Sequence, residues 1–549
     1  MSTHTHRSRV RSVVTAAFAF GLAVSAAAPV AYAKPDKSVN ANSCANRDNN
    51  SYQKLLDCVT LDGVRSHQAA LQAIADENGG TRASGTPGYD ASVDYVAGQL
   101  EAAGYVVTRQ EFEFDFFADY STLSRVSPDP VEYEDFTERD AMTFSGETDE
   151  PVTAPLEAVD LSIDDPAASS SGCEPEDFDG FTAGNVALIQ RGACSFAQKA
   201  LNAEAAGAVG VVVFNQGTPD RNGMFYGTLG GPGVTIPVFS LEYTLGLELV
   251  DLLAEGEVVL ELFVDTEEGV RTTENVIAES PTGNPNNVVM AGAHLDSVAR
   301  GPGLQDNGSG SAAILEVALK LAGHEPVNQL RFAWWGAEEL GLIGSEYYVQ
   351  NLTDEERDDI ALYLNFDMIG SPNHVFFVYD ANESSFDAPV AVPEGSVDIE
   401  NTFERFYSWQ DTPYDDSAFS GRSDYQEFIN FGIPSGGLFT GAEVLKTEEQ
   451  ESIWGGTAGE QYDPCYHQAC DTYDNINLDA LDTNSDAVAF AVLTYAYSTE
   501  AVNGVPGEPV PGKPIDFGEV DGPQLTNDSN GGGGLDHDHD HDHDHGEAS

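Results

Sequence analysis

The feature that most constrains this chain is a repeated pattern, in which an apolar run read as a buried strand ends at a potential metal ligand. Val288 to Ser311 reads VVMAGAHLDSVARGPGLQDNGSGS; its apolar run ends in His294, and Asp296 follows two residues later. A Gly-rich loop then leads to Asp306 and Asn307 at the start of a helix. The pattern recurs twice: Leu330 to Trp335 runs out just before Glu338 and Glu339, and Ile360 to Phe366 ends in Asp367. In open α/β sheets, ligands gather outside the carboxyl ends of the strands. Strand ends carrying His, Asp, Glu and Asp therefore predict one shared site.

Outside the N-terminal apolar segment and a C-terminal Asp-His tract, the available imidazoles are His67, His294, His324, His374 and His467. His324 and His374 read as surface positions, and His67 as an exposed position on an early helix. His467 differs, because it lies in YDPCYHQACD, where a short disulfide between Cys465 and Cys470 would hold Tyr466 and His467 in place. Two histidines with three or more carboxylates suit a pair of zinc ions, which accept both imidazole nitrogen and carboxylate oxygen. Asp306, between the other strand ends, is the natural bridge. Glu338 and Glu339 are chain neighbours and point different ways, so one can ligate while the other faces substrate as a base.

Arg7, Arg9 and Arg11 precede an apolar run from Val13 to Val30, and Ala31-Tyr32-Ala33 is a cleavage signal. Residues 1–33 therefore read as a secretory peptide, and the protein as secreted and extracellular, with no membrane span. Export makes disulfides the expected state of the cysteines. They fall into the local pairs Cys44 with Cys58, Cys173 with Cys194, and Cys465 with Cys470, with other pairings open. Asp and Glu outnumber Lys and Arg by 91 to 24, for a formal net charge of −67. That charge argues against nucleic acid or an anionic membrane as partner, and its self-repulsion leaves a salt-rich habitat and ordinary acidic secretion both open.

Along the chain, residues 34–50 read as a flexible segment, and helical patterning covers Tyr52 to Asn78 and Ala91 to Ala103, with Gly104 as a C-cap. Tyr105 to Phe114 alternates like a strand. From about Ser145 the runs shorten, and Asn185 to Asn215, NVALIQRGACSFAQKALNAEAAGAVGVVVFN, resembles the protease-associated (PA) domain. The expected organisation is a first part at 51–145, a PA domain at 146–268, a catalytic part at 269–500, and a Pro/Gly-rich linker and tail at 501–549. The Asp-His repeats from Asp536 to His545 read as a metal-scavenging tract or a cloning tag.

Taken in order, H-x-D, D-N-G-x-G, A-E-E-x-G-x-x-G-S, N-F-D-M and Y-H resemble the secreted co-catalytic double-zinc aminopeptidases of the bacterial leucyl aminopeptidase and aminopeptidase Y type. The resemblance implies an α/β fold, a three-layer αβα phosphorylase/hydrolase-like core with a mixed central sheet, and a smaller inserted β-rich PA domain. It implies that His294, Asp306 and Asp367 hold one Zn2+, and that Asp306, Glu339 and His467 hold the other. Glu338 would be the general base, Tyr466 would stabilise the oxyanion, and Asp296 would orient His294. Arg422, Met368 and Phe439 would line the substrate pocket, and the Asp306-Asn307 peptide would be cis. The implied activity is release of a large apolar N-terminal residue from peptide or protein N-termini by a monomer. Structural Ca2+ is a further candidate cofactor. A carboxypeptidase of the same fold is the alternative, and would need a cationic pocket. A serine hydrolase is unsupported, since no G-x-S-x-G follows a strand.

Overall fold

The computed structural model describes residues 44–525, apart from 45–46, 134–137, 219–220, 516, 518–519 and 521. Residues 1–33, expected to be a secretory peptide, and the Asp-His tract lie outside the described residues. In the larger domain the middle layer is a mixed sheet of eight strands. They are β1 (Val106–Asp119), β2 (Thr266–Glu279), β3 (Asn284–His294), β4 (Asn328–Trp335), β5 (Ile360–Phe366), β6 (Phe377–Tyr379), β7 (Asp415–Ser417) and β8 (Ser435–Phe439). Their spatial order is β1-β2-β4-β3-β5-β8-β6-β7. The block β4-β3-β5-β8 is parallel throughout, while β2 and β6 join it antiparallel.

Continuous apolar runs follow from coverage on both faces. Along β3, Val289, Ala291 and Ala293 pack into one core with helices α1 (Leu61–Glu77), α2 (Pro87–Ala103), α3 (Gly308–Leu321), α5 (Ser396–Trp409) and α7 (Leu478–Tyr497). Met290, between them, packs into a second core with Trp335 and Tyr363 beneath α4 (Ile343–Asn351) and α6 (Tyr425–Asn430). The result is the three-layer αβα architecture. Every residue of β5 is buried, so truncating Leu362 or Leu364 to Ala should cost about 2–5 kcal/mol.

The early helical stretch is broken rather than continuous. Tyr52–Leu56 is separated from α1 by a turn in which Cys58 is bridged to Cys44. Helix α2 starts earlier than the periodicity suggests, at Pro87, and stops at Gly104, whose φ of 95° places it in the left-handed region favoured by glycine. Strand β1 runs five residues beyond the expected end at Phe114, because it pairs with β2 from Val106 opposite Glu279 to Asp119 opposite Thr266.

This long ribbon carries the second domain at its far end. Strand Thr122–Ser127 continues from β1 and pairs with Val259–Phe263, which leads back into β2. The second sheet also has eight strands and includes Thr122–Ser127, Val131–Glu132 and Arg139–Ala141. Its strands start at Thr122, ahead of residue 146, because Thr122–Ser127, paired on both sides by Val131–Glu132 and Val259–Phe263, is a polar, alternating strand that reads alike on either side of a domain boundary. Within it, Cys173 and Cys194 are bridged, and the Ser195 hydroxyl caps helix Phe196–Ala205 by accepting the Gln198 N–H.

Candidate metal centre

The carboxyl ends of β3, β4 and β5 converge as the repeated sequence pattern requires. Asn307 fastens α3 to the end of β5: its side-chain amide donates to Phe366 O at 2.9 Å, and its Oδ1 accepts the Gly310 N–H at 2.9 Å and the Met368 N–H at 3.2 Å. A Cβ at Gly310 would lie 2.1 Å from Phe366 O, so only glycine permits this approach. Asp306 is thereby brought beside Asp367, and the Asp306-Asn307 peptide is cis.

Asp306 stands between two imidazoles. Its Oδ1 is 3.2 Å from His294 Nε2, and its Oδ2 is 3.3 Å from His467 Nε2. On the His294 side, Asp367 Oδ1 lies at 3.2 Å and Glu338 Oε2 at 3.9 Å; on the His467 side, Glu339 Oε2 lies at 3.0 Å. Ligand atoms of His294, Asp306 and Glu339 fall within 4.8 Å of one another, as do those of His294, Glu338 and Asp367. Two buried oxygens here, Glu339 Oε1 and Asp296 Oδ2, have no hydrogen-bond partner.

Charge makes the same point. Burial pushes the Glu339 carboxyl up to about 7, with Asp306 adding to the rise, and burial lifts Glu338 well above the usual range against the pull of His294. Burial alone would lower both imidazoles, yet Glu338 and Asp367 at His294, and Glu339 and Asp306 at His467, raise them well above the ordinary value. Four carboxylates converge with too little positive charge to balance them. A mixed set of imidazole nitrogens and carboxylate oxygens at the same place fits zinc.

Asp296 meets His294 in two ways: Nδ1 lies 3.2 Å from the Asp296 main-chain oxygen and 3.6 Å from its carboxylate. The same carboxylate accepts the Glu338 N–H at 3.3 Å. His467, at φ 57°, and Tyr466 sit inside the loop closed by Cys465 and Cys470, their rings stacked at 3.8 Å. Arg422 donates to the Tyr466 hydroxyl at 3.3 Å and pairs with Glu443 at 2.7 Å. Met368 is buried beside Asp367, and half-buried Phe439, at the end of β8, stacks on Phe377 at 6.1 Å.

Residues 275–492 match the description "Peptidase family M28", and residues 152–249 match the PA domain. An aminopeptidase of Pseudomonas aeruginosa is 50% identical over 450 residues, covering 81% of this chain and 83% of that protein. The chain belongs to peptidase family M28. Leucine aminopeptidase 2 of Arthroderma otae is 39% identical over 454 residues, 82% of this chain and 86% of its own length. Among solved structures, a zinc aminopeptidase from Bacillus subtilis is 26% identical, with a TM-score of 0.50 over 79% of this chain and 94% of that one.

In this M28 chain His67 and His324 are not surface residues, and His374 is half-buried. His67 is buried against Glu316 at 3.4 Å and Tyr95 at 2.7 Å, and His324 is buried against Asp48 at 2.9 Å. Each is held by a partner far along the chain, through Nδ1 alone in the case of His324, which local sequence context does not reveal.

Several M28 site neighbours escape a motif reading. Asp471 accepts the N–H groups of Gln305 at 2.8 Å and Asp306 at 2.9 Å, so the loop bearing His467 pins the loop bearing Asp306. Ser423 donates to Asp367 Oδ2 at 2.6 Å, and buried Asp424, next in the chain, is lifted to about 8 by burial against the pull of His294. Fully buried Arg82 donates to the carbonyls of Pro302 at 2.8 Å, Gly303 at 2.6 Å and Leu295, gripping the loop between His294 and Asp306. Asp471 closes the segment YDPCYHQACD, and Asp424 lies two residues beyond Arg422, a usable signal in each case. Arg82 offered none.

No helix among the described residues is long and apolar enough to cross a membrane. The three disulfides pair the cysteines as nearest neighbours in sequence, consistent with an oxidising compartment.

Proposed function

We propose that this chain is a secreted aminopeptidase that holds two zinc ions and releases a large apolar N-terminal residue, such as Leu, from peptides. The observation that carries the reading is Asp306, with each carboxylate oxygen turned to a different imidazole, at 3.2 and 3.3 Å. The aminopeptidase relatives in Pseudomonas aeruginosa and Arthroderma otae, the latter a leucine aminopeptidase, and the zinc aminopeptidase of Bacillus subtilis support it. His294, Asp306 and Asp367 would hold one ion, and Asp306, Glu339 and His467 the other.

When bound, zinc supplies acidification of water and polarisation of the scissile carbonyl. The chain's own groups do the rest. Glu338, lifted above the ordinary carboxylate range by burial, takes a proton from the attacking water and passes it to the leaving amine. Tyr466 keeps its proton, because burial and Asp306 raise its hydroxyl well above the ordinary value, and donates to the developing oxyanion. The surplus carboxylates attract the substrate's α-ammonium and so favour a free N-terminus. A carboxypeptidase would need an uncommitted cation for the opposite terminus, and Arg422 is already paired with Glu443.

A metal count on the purified protein, with a panel of aminoacyl anilides and N-acetylated controls, tests the proposal. About two zinc ions per chain and cleavage of free leucyl substrate alone are expected. Cleavage of acetylated substrate at a similar rate, or full activity after complete zinc removal, would sink it.

A further inference from the structure

The loop from His294 to Asp306 joins two zinc-site donors and carries a single Lys or Arg, Arg300. That side chain reaches the point where the chain leaves the larger domain. Its Nε donates to the Asp119 main-chain oxygen at 2.8 Å and its Nη2 to Ser121 O at 2.9 Å, with the Asp119 carboxylate 3.5 Å from Nη2. Asp119 ends β1, and Ser121 immediately precedes Thr122–Ser127 of the second domain. Both root residues are buried, and they are tied to the returning chain: the Tyr120 N–H donates to Asp265 O at 2.8 Å, and Ser121 Oγ accepts the Asp265 N–H at 3.2 Å. Ser121 O has a second donor. Buried Arg139, in strand Arg139–Ala141 of the second sheet, donates to it from Nη2 at 2.7 Å, so one carbonyl is held by a guanidinium from each domain.

The residues on either side of Arg300 press on the segments that carry the zinc-site donors. A Cβ at Gly301 would lie 2.4 Å from the main-chain oxygen of Gln468, the residue after His467, and one at Gly303 would lie 2.4 Å from Asp306 O. Leu304, Gln305 and Asp306 then donate their N–H groups to Asp471, at 3.1, 2.8 and 2.9 Å. Val298 and Gly303 wall the same small cleft as Asp306, Glu339 and His467. Ala299 packs with Phe112, Phe114 and Phe116 of β1 and with Ala337, which directly precedes Glu338. Hydrogen bonds from an ionised donor are about twice as strong as neutral ones, and the planar guanidinium fixes direction as well as distance. A loop held this way at its tip moves only as far as the root it grips.

We propose that Arg300 is a positioning residue that fastens the loop between His294 and Asp306 to the root of the inserted PA domain, so that this domain helps to set where Asp306 and His467 stand. The inference rests on the two-zinc aminopeptidase reading given above. Because the contacts run to the zinc-site donors and not to Met368, Phe439 or Arg422, the loss of Arg300 falls on turnover more than on substrate affinity.

The test uses the full-length, zinc-loaded protein, with leucyl anilide kinetics and hydrogen exchange as readouts. In Arg300→Ala, kcat should fall by about 10–100-fold, the usual worth of a group that orients metal ligands, with KM within about twofold of wild type. Exchange of the Leu304, Gln305 and Asp306 amides should quicken by at least ~10-fold, while β5 keeps its protection. Arg300→Lys keeps the charge without the planar fork and should recover part of both losses. Arg139→Lys, which alters the second domain's donor alone, should lower kcat in the wild-type background and not in Arg300→Ala. Unchanged kcat in Arg300→Ala, exchange quickened equally in β5, or an equal effect of Arg139→Lys in both backgrounds overturns the proposal. If the wild-type protein releases no N-terminal residue, the aminopeptidase reading fails, and exchange at Leu304 to Asp306 alone decides the role of Arg300, with unchanged rates overturning it. If Arg300→Ala does not fold, Arg300→Lys must show the same changes in smaller measure, and identity with wild type overturns the proposal.

Discussion

The chain buries two carboxylate clusters and equips them differently. Around Asp306 the carboxylates meet two imidazoles, and Asp306 is held below the usual range because His294 and His467 outweigh the effect of burial. Around Glu400 there is no imidazole, and burial, with Glu404 adding to it, pushes Glu400 up to about 8. Both clusters hold more negative charge than hydrogen bonds can absorb. What separates them is the donor set and the place in the fold. Nitrogen and oxygen donors stand at the carboxyl ends of parallel strands, with His467 partly exposed, whereas the oxygen donors between a helix and an edge strand, on Glu400, Glu404 and Asp416, are all buried. The first arrangement suits chemistry and the second suits cross-bracing.

The sharpest way to break this contrast is to neutralise one glutamate in each cluster. Glu338→Gln should lower kcat by about 10²–10⁴ with roughly two zinc ions still bound, as expected for loss of a general base. Glu400→Gln should leave turnover and zinc content unchanged; an equal loss of activity in both variants would erase the division between chemical and structural clusters. A smaller effect is expected at Asp296, which contacts His294 and receives the Glu338 N–H. Asp296→Asn should weaken zinc binding by about 10–100-fold, the usual worth of a residue that orients a metal-bound histidine. Competition with a chromogenic chelator measures it, and unchanged affinity would remove Asp296 from the site.

The smallest effect concerns pH. Glu400 has a folded pKa of about 8 against an ordinary 4.5, so the native state binds its proton more tightly than the unfolded chain does. Its contribution to stability is complete below about pH 4.5 and is lost as pH rises through about 8. The groups facing it are Glu404, Asp380 and Asp416, all acidic, so none offsets the loss. Melting temperature should therefore decline across that window, with a shallower decline in Glu400→Gln. A decline of the same steepness in both proteins would show that Glu400 is not the group responsible.

Much of the metal centre was legible in the linear chain, and the reason is geometric. A parallel sheet places the ends of successive strands side by side, so His294, Glu338, Glu339 and Asp367 could be assigned to one place from the periodicity of apolar runs. His467 stood out for a different reason, a six-residue loop with a cysteine at each end. The outline of the second sheet was less visible, since its first strand follows β1 without any change in composition.

By itself, then, the sequence pointed to alternating strands and helices, to an inserted domain and to the donors that the fold brings together around Asp306, because each is written in local periodicity or short motifs, and the resemblance added the layered core. Tertiary structure alone decided which groups hold those donors in position. Asp471 reaches Asp306 across 165 residues, and Arg82 reaches Gly303 across 221. It also decided that Glu400, Glu404 and Asp416 share one buried space. On paper these are three acids in a chain that has 91, and only packing takes them out of water, where unbalanced charge becomes costly enough to demand a partner.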